Sequence, residues 1–133
     1  MLEHFSKQVL VLTACVWLFA GCACRPNLLD TGVYQQEIIS HSRTSFGRVW
    51  ASEDKGGLKV SGELHLNRAI RGNIPKDVNV VLVDRSGAVI TAQKVPYYPR
   101  TRTGWRFHRE ARFSVRFPEM PPAGTMIRMS NLD

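Results

Sequence analysis

Tyr97, Tyr98, Arg100, Arg102, Trp105, Arg106 and Arg109 place four arginines and three large aromatic side chains within thirteen residues. A guanidinium presents paired N–H donors to a phosphate or carboxylate and keeps its charge at any physiological pH. Tyrosine and tryptophan offer flat faces that stack on rings or lie at a lipid interface. The chemistry expected of this stretch is recognition of an anionic surface or an acidic partner. The competing structural reading is a solvated hairpin whose Tyr and Trp cover one end of the core. The wider window 94–116 carries seven basic side chains, and its single acid is Glu110, a balance of +6. The whole chain of 133 residues carries +7, so nearly all of its imbalance lies there.

Other chemistries find less support. His41, His65 and His108 with Met120, Met126 and Met129 are ligand types that suit copper. None of them shows a tight spacing such as His-x-His, so no metal site and no cofactor is expected. Ser40, His41, Ser42 and Asp30 are neighbours in sequence, but a catalytic triad is defined by geometry. The carboxylates Asp54, Glu63, Asp77, Asp84, Glu110 and Glu119 are scattered along the chain and form no pair that demands acid–base work. The expectation is a protein without catalytic residues.

The N-terminus carries a different signal. Lys7 precedes an apolar run over residues 9–20, followed by Leu18-Phe19-Ala20-Gly21-Cys22. A charged start, a short apolar stretch and small residues before a cut describe a secretory signal peptide. The stretch is shorter than the roughly 20 apolar residues of a spanning helix. Cys22 after Ala20-Gly21 resembles the lipobox of bacterial lipoproteins. That resemblance implies cleavage after Gly21 and acylation of Cys22, palmitate included. Ala23 rather than Asp at the next position implies, by the family's sorting rule, the outer membrane, with the domain facing the periplasm. Of the three cysteines, Cys15 would leave with the signal and Cys22 would be acylated. Cys24 would be the one remaining thiol, with no internal disulfide and only another chain to pair with.

The elements that must position the basic aromatic stretch read as strands. Residues 58–66 alternate, with Leu58, Val60, Gly62, Leu64 and Leu66 on one face and Lys59, Ser61, Glu63 and His65 on the other. Period two with one polar face is a half-buried strand. Residues 78–83 are apolar on both parities, as a central strand covered on both faces would be. Asp84 to Gly87 turns the chain into a strand over 88–95. Residues 96–105 read as a long loop punctuated by Pro96, Pro99 and Gly104. Residues 107–117 alternate again, and 125–129 close the chain as a last strand. Residues 34–39 read equally as a strand or a short helix, and 46–51 as a short strand.

Together these predict an all-β fold, a single immunoglobulin-like β-sandwich of six to seven strands after an N-terminal signal helix. The organisation is a signal peptide over 1–21, a lipidated tether and entry segment over 22–45, and the sandwich over 46–133. The phrase from Ile74-Pro75 through the valine-rich stretch to Asp84, Gly87 and Ile90 resembles immunoglobulin-like and transthyretin-like domains of small proteobacterial lipoproteins. It implies a fold and brings no catalytic residues.

The function expected is a membrane-anchored periplasmic lipoprotein that binds or scaffolds. Its partners would be the membrane through the lipid on Cys22, and an envelope protein, a lipid headgroup or lipopolysaccharide through the basic loop. The anchor is expected to set the basic segment beside an anionic membrane. Nucleic acid is not an expected partner, because it would need transport into that compartment. The alternatives are a small periplasmic copper-binding protein and a structural accessory subunit of an envelope complex. Cys22→Ser is expected to abolish incorporation of labelled palmitate and to release the protein from the membrane fraction. Labelling equal to wild type would rule out acylation at Cys22.

Overall fold

Alternating apolar side chains and glycine-bearing turns build a seven-stranded β-structure in a computed structural model that describes residues 24–39, 44–66, 76–98 and 110–131. The strands are β1 (Gln35–Ile39), β2 (Thr44–Asp54), β3 (Gly57–Leu66), β4 (Asp77–Val83), β5 (Val89–Tyr98), β6 (Glu110–Phe117) and β7 (Met126–Ser130). Their order is β1-β7-β4-β5-β6-β3-β2. β1 runs parallel to β7, and the other pairs are antiparallel. The all-β expectation is what the structure shows. The expected signal helix lies outside the described residues.

The sheet folds on itself through β5. Val89 to Pro96 pair with β4, and then Tyr97 and Tyr98 pair with Phe113 and Arg112 of β6. Strands that change partners in this way make the corners of sandwiches. Pro96 sits at the change of partner, where a missing N–H costs the ladder least. This corrects the expected loop over 96–105, because its first three residues are strand. Between the two layers lie Leu58, Val60, Leu64, Val78, Val80, Leu82, Tyr97, Phe113, Val115, Phe117, Ile127 and Met129, all buried. β3 and β6 bury the faces that their alternation predicts. β4 lies between β5 and β7 as expected, but Val81 on its outer parity is only half-buried.

The segment expected to be a tether belongs to the fold from Asn27 onward. Asn27 is buried, and its Oδ1 accepts from the Ala51 amide at 2.9 Å and the Leu29 amide at 3.2 Å. Its Nδ2 donates to the Val49 carbonyl at 3.1 Å. These bonds satisfy backbone groups on the outer edge of β2, which would otherwise be unpaired. The chain then crosses to the other end of the sheet order. Tyr34 is buried and donates to the Pro121 carbonyl at 2.8 Å, and β1 follows alongside β7. Residues 27–34 thus fill the gap between the first and last strands of a nearly closed sheet. Their side-chain hydrogen bonds to the rest of the fold come from one amide and one hydroxyl, which leave no hydrophobic period, while Leu28 and Leu29 pack against the core.

The turns divide the molecule into two poles. At the entry pole lie Arg25, the β2–β3 turn, the β4–β5 hairpin and residues 118–125. Lys55 and Gly56 both have positive φ, 50° and 77°, which gives the tight two-residue hairpin turn. In the β4–β5 hairpin Asp84 accepts from the Ser86 hydroxyl at 2.6 Å and from the Ser86 and Ala88 amides at 2.9 Å each. Those donors hold its carboxyl below the usual range. At the distal pole lie the ends of β1, β3 and β5 and the starts of β2, β4 and β6. There Thr44 donates to Asn131 at 2.6 Å, and Asn131 donates to the Asp77 carbonyl at 2.9 Å. The ten residues of β3 separate the poles by about 30 Å.

Burial raises the Tyr34 pKa above 10.0, and the negative charge of Glu53 adds to the effect. The folded protein therefore holds this proton more tightly than the unfolded chain does. The stabilisation is complete below pH about 10 and declines as pH rises through the folded value. Tyr34→Phe should lower stability at neutral pH by about 1 kcal/mol, because the buried Pro121 carbonyl loses its donor. It should also flatten the alkaline decline, read as the urea midpoint against pH. An alkaline slope identical to wild type would contradict this role.

Candidate functional site

The expected basic aromatic stretch is rooted where β5 meets β6. Its two tyrosines part company there. Tyr97 is 2% exposed and packs in the core, whereas Tyr98 is 64% exposed. Tyr97, expected as a ligand contact, is a core residue: side chains alternate across a strand, and the strand runs three residues past its expected end at Val95. Arg100, Arg102, Trp105, Arg106 and Arg109 lie outside the described residues. The structure does bring the two ends of their connection together, because Tyr98 and Arg112 are ladder partners.

From that root the outer face of β6, β3 and β2 spreads as transverse rows set by the ladder. Ser52, Lys59 and Arg116 form one row, and Trp50, Ser61 and Ser114 the next. Glu63 and Arg112 continue to Tyr98 in the third, and Ser45, His65 and Glu110 form the fourth. The alternate residues of these strands fill the core, so these rows face outward. β2 bulges between Phe46 and Val49. The Arg48 guanidinium in that bulge lies over the Trp50 ring, 4.9 Å from its centroid, a cation–π contact. The middle rows form a shallow cavity of about 400 Å³ bounded by Arg48, Trp50, Lys59, Glu63 and Arg112 over Ser61 and Ser114.

The basic side chains of this face and its surroundings are used in two ways. Arg116 donates to the Asp54 and Lys55 carbonyls at 3.0 and 3.2 Å and sits 3.6 Å from the Asp54 carboxylate. Arg25 donates to the Glu53 carbonyl at 3.1 Å, so both arginines hold the β2–β3 turn. Arg128 pairs with Glu37 at 2.6 Å across β1 and β7. Lys59 and Arg112 have no carboxylate within 4.0 Å among the described residues.

Sequence reasoning missed one cluster. Glu63, His65 and Glu110 are brought together so that one donor atom from each lies within 4.8 Å of the others. Glu63 and His65 are two apart on β3, hence on one face, and Glu110 is the ladder partner of His65. The signal was the Glu-x-His spacing, which becomes visible only once β6 is registered against β3. Two carboxylates and an imidazole suit a first-row divalent cation. Arg112, the ladder partner of Glu63, supplies a competing positive charge. His65 approaches Glu63 at 3.9 Å, and its imidazole occupies the space a Cβ on Gly47 would need. His41 and His108 lie outside the described residues.

Set against protein-family models, curated proteins and solved structures, the chain matches none of them. The fold and the site therefore define the protein as a seven-stranded all-β protein with a cationic, aromatic sheet face. The two tyrosines separate core from surface experimentally. Tyr97→Ala should cost about 3–5 kcal/mol in denaturant unfolding, as for other large-to-small core changes. Tyr98→Ala should cost within about 0.5 kcal/mol. Equal losses would refute the assignment.

Proposed function

We propose that the chain is a lipid-anchored, periplasm-facing envelope protein, held by Cys22, that binds or scaffolds rather than catalyses. Its basic aromatic segment contacts an acidic partner or an anionic polymer. The observation that carries this reading is the Tyr98–Arg112 pairing. By sequence Arg100, Arg102, Arg106 and Arg109 all fall on the connection between these partners, whose described ends, Tyr98 and Glu110, lie at the distal pole. Summed charge of one sign raises the local concentration and on-rate of an anionic partner.

The two poles change what such a partner can be. Only four residues lie between Cys22 and Asn27, so the reach from one to the other is about 17 Å when fully extended. The anchor would thus hold the entry pole against the bilayer. The exposed Ile90 borders a cavity of about 280 Å³ at that pole, with Pro118, Met120 and Pro122, and its chain neighbour Val89 is also exposed. The described ends of the basic connection, Tyr98 and Glu110, would then lie at the pole away from the bilayer. Peptidoglycan carboxylates or an acidic envelope protein fit this orientation better.

A second reading, a structural accessory subunit, draws on the edges. The Asn27–Leu28 backbone covers part of β2, with the Leu28 amide 2.8 Å from the Ala51 carbonyl. β1 pairs only with β7 among the described residues and exposes Ile38 and Ile39, so it could accept an added strand.

Co-sedimentation with isolated peptidoglycan distinguishes the two. Replacing Arg100, Arg102 and Arg106 by Ala should reduce bound protein, and binding should fall as salt rises. Binding indifferent to both changes would overturn the anionic reading. A partner retained at high salt but lost on Ile38→Pro would instead support edge addition.

A further inference from the structure

We propose that the cavity on the outer face of β2, β3 and β6 binds an anionic sugar, a pyranose ring carrying a phosphate or carboxylate. This deepens the anion-binding reading above, but it names a surface separate from the basic connection.

The case begins with charge. Lys59 and Arg112 flank the Trp50–Ser61–Ser114 row from its two sides, each one side-chain repeat, about 7 Å, along the strands. Neither has a carboxylate partner among the described residues, unlike Arg116 and Arg128, whose charges hold backbone and sheet. Two cations facing one cavity, neither held in an ion pair among the described residues, favour an anion between them. Glu63 is the cavity's single acid, and its repulsion directs the anion toward the serine row.

Shape and polarity narrow the class. Ser61 and Ser114 are small, so the middle row sinks below the longer side chains around it. Hydroxyls can both donate and accept, which suits a ligand bearing hydroxyl groups. The half-buried Trp50 forms one wall, with Arg48 stacked on its ring. An aromatic wall beside hydroxyl-bearing residues matches a sugar, which has apolar C–H faces and a polar rim. A cavity of about 400 Å³ is the size of a small-molecule site or of one terminal unit of a polymer.

The test is isothermal titration of the full-length protein in detergent at low salt with four probes: glucose 6-phosphate, N-acetylmuramic acid, glucose and inorganic phosphate. One or both anionic sugars should bind saturably and more tightly than glucose or phosphate, and which one binds identifies the source of the charge. Lys59→Ala with Arg112→Ala should weaken that binding at least about tenfold. Trp50→Leu should weaken the sugar without strengthening phosphate. Unchanged thermal melting would show that each variant is folded. Replacing Arg100, Arg102 and Arg106 should leave sugar binding intact. Absence of saturable binding up to about 10 mM, or binding unaffected by the Lys59 and Arg112 changes, would overturn the inference. Loss in the triple variant alone would also overturn it, while leaving the reading of the basic connection standing.

Discussion

Two ladder positions hold the two layers in register along one side of the molecule. Among the described residues, Tyr97 opposite Phe113 and Tyr98 opposite Arg112 are the pairs that join β5 to β6. Closer to the entry pole those strands diverge, and a side-chain bond from Gln93 to the Arg116 carbonyl, 3.0 Å, spans the gap. The corner works because its rings fit. Phe113 meets Phe46 edge to face at 5.8 Å and 89°, a favoured aromatic geometry. It also lies where a Cβ on Gly62 would come within 2.8 Å of its ring, so the absence of a side chain there admits it. The buried Tyr97, the exposed Tyr98 and the place where the basic connection leaves the sheet all follow from this corner.

The same corner marks where the sequence was readable and where it was not. Alternation located β3 within one residue and the end of β6 at Phe117, because each has one face in the core and one in water; residues 107–109, expected to begin β6, lie outside the described residues. It failed at Pro96, since a proline reads as a breaker unless the strand is known to change partner there. It failed again at residues 27–34, whose buried side-chain hydrogen bonds to the fold come from the Asn27 amide and the Tyr34 hydroxyl. Neither has a periodic signature. The first strand, open between helix and strand in the sequence, was decided by β7, a partner about ninety residues away. The Glu63–His65–Glu110 cluster was hidden for a related reason, being a product of register between distant strands. Of the basic aromatic residues, sequence grouped two tyrosines that strand geometry sets on opposite faces.

Charge is divided between structure and surface in a way that composition hides. A net +7 suggests one diffuse positive field. Instead, several arginines are committed to carbonyls and carboxylates at the β2–β3 turn and along β1–β7. Exposed pairs of this kind contribute little to stability, under about 1 kcal/mol each, so their main effect is to remove those cations from the free surface. Among the described residues, Lys59 and Arg112 have no carboxylate within 4.0 Å, so the outer face of β3 and β6 keeps positive charge.

The place of β7 has its own consequence, for the order of assembly. This strand, nearly the last part of the chain, lies between β1, the first strand, and β4. One layer therefore lacks an interior member until residues 126–130 have emerged, whether from a ribosome or a translocation pore. The earlier strands can form hairpins, but among the described residues β1 pairs only with β7. Pairings so far apart in sequence are slow to form because loop closure must precede them. That layer therefore closes late, on a contact whose partners lie about ninety residues apart.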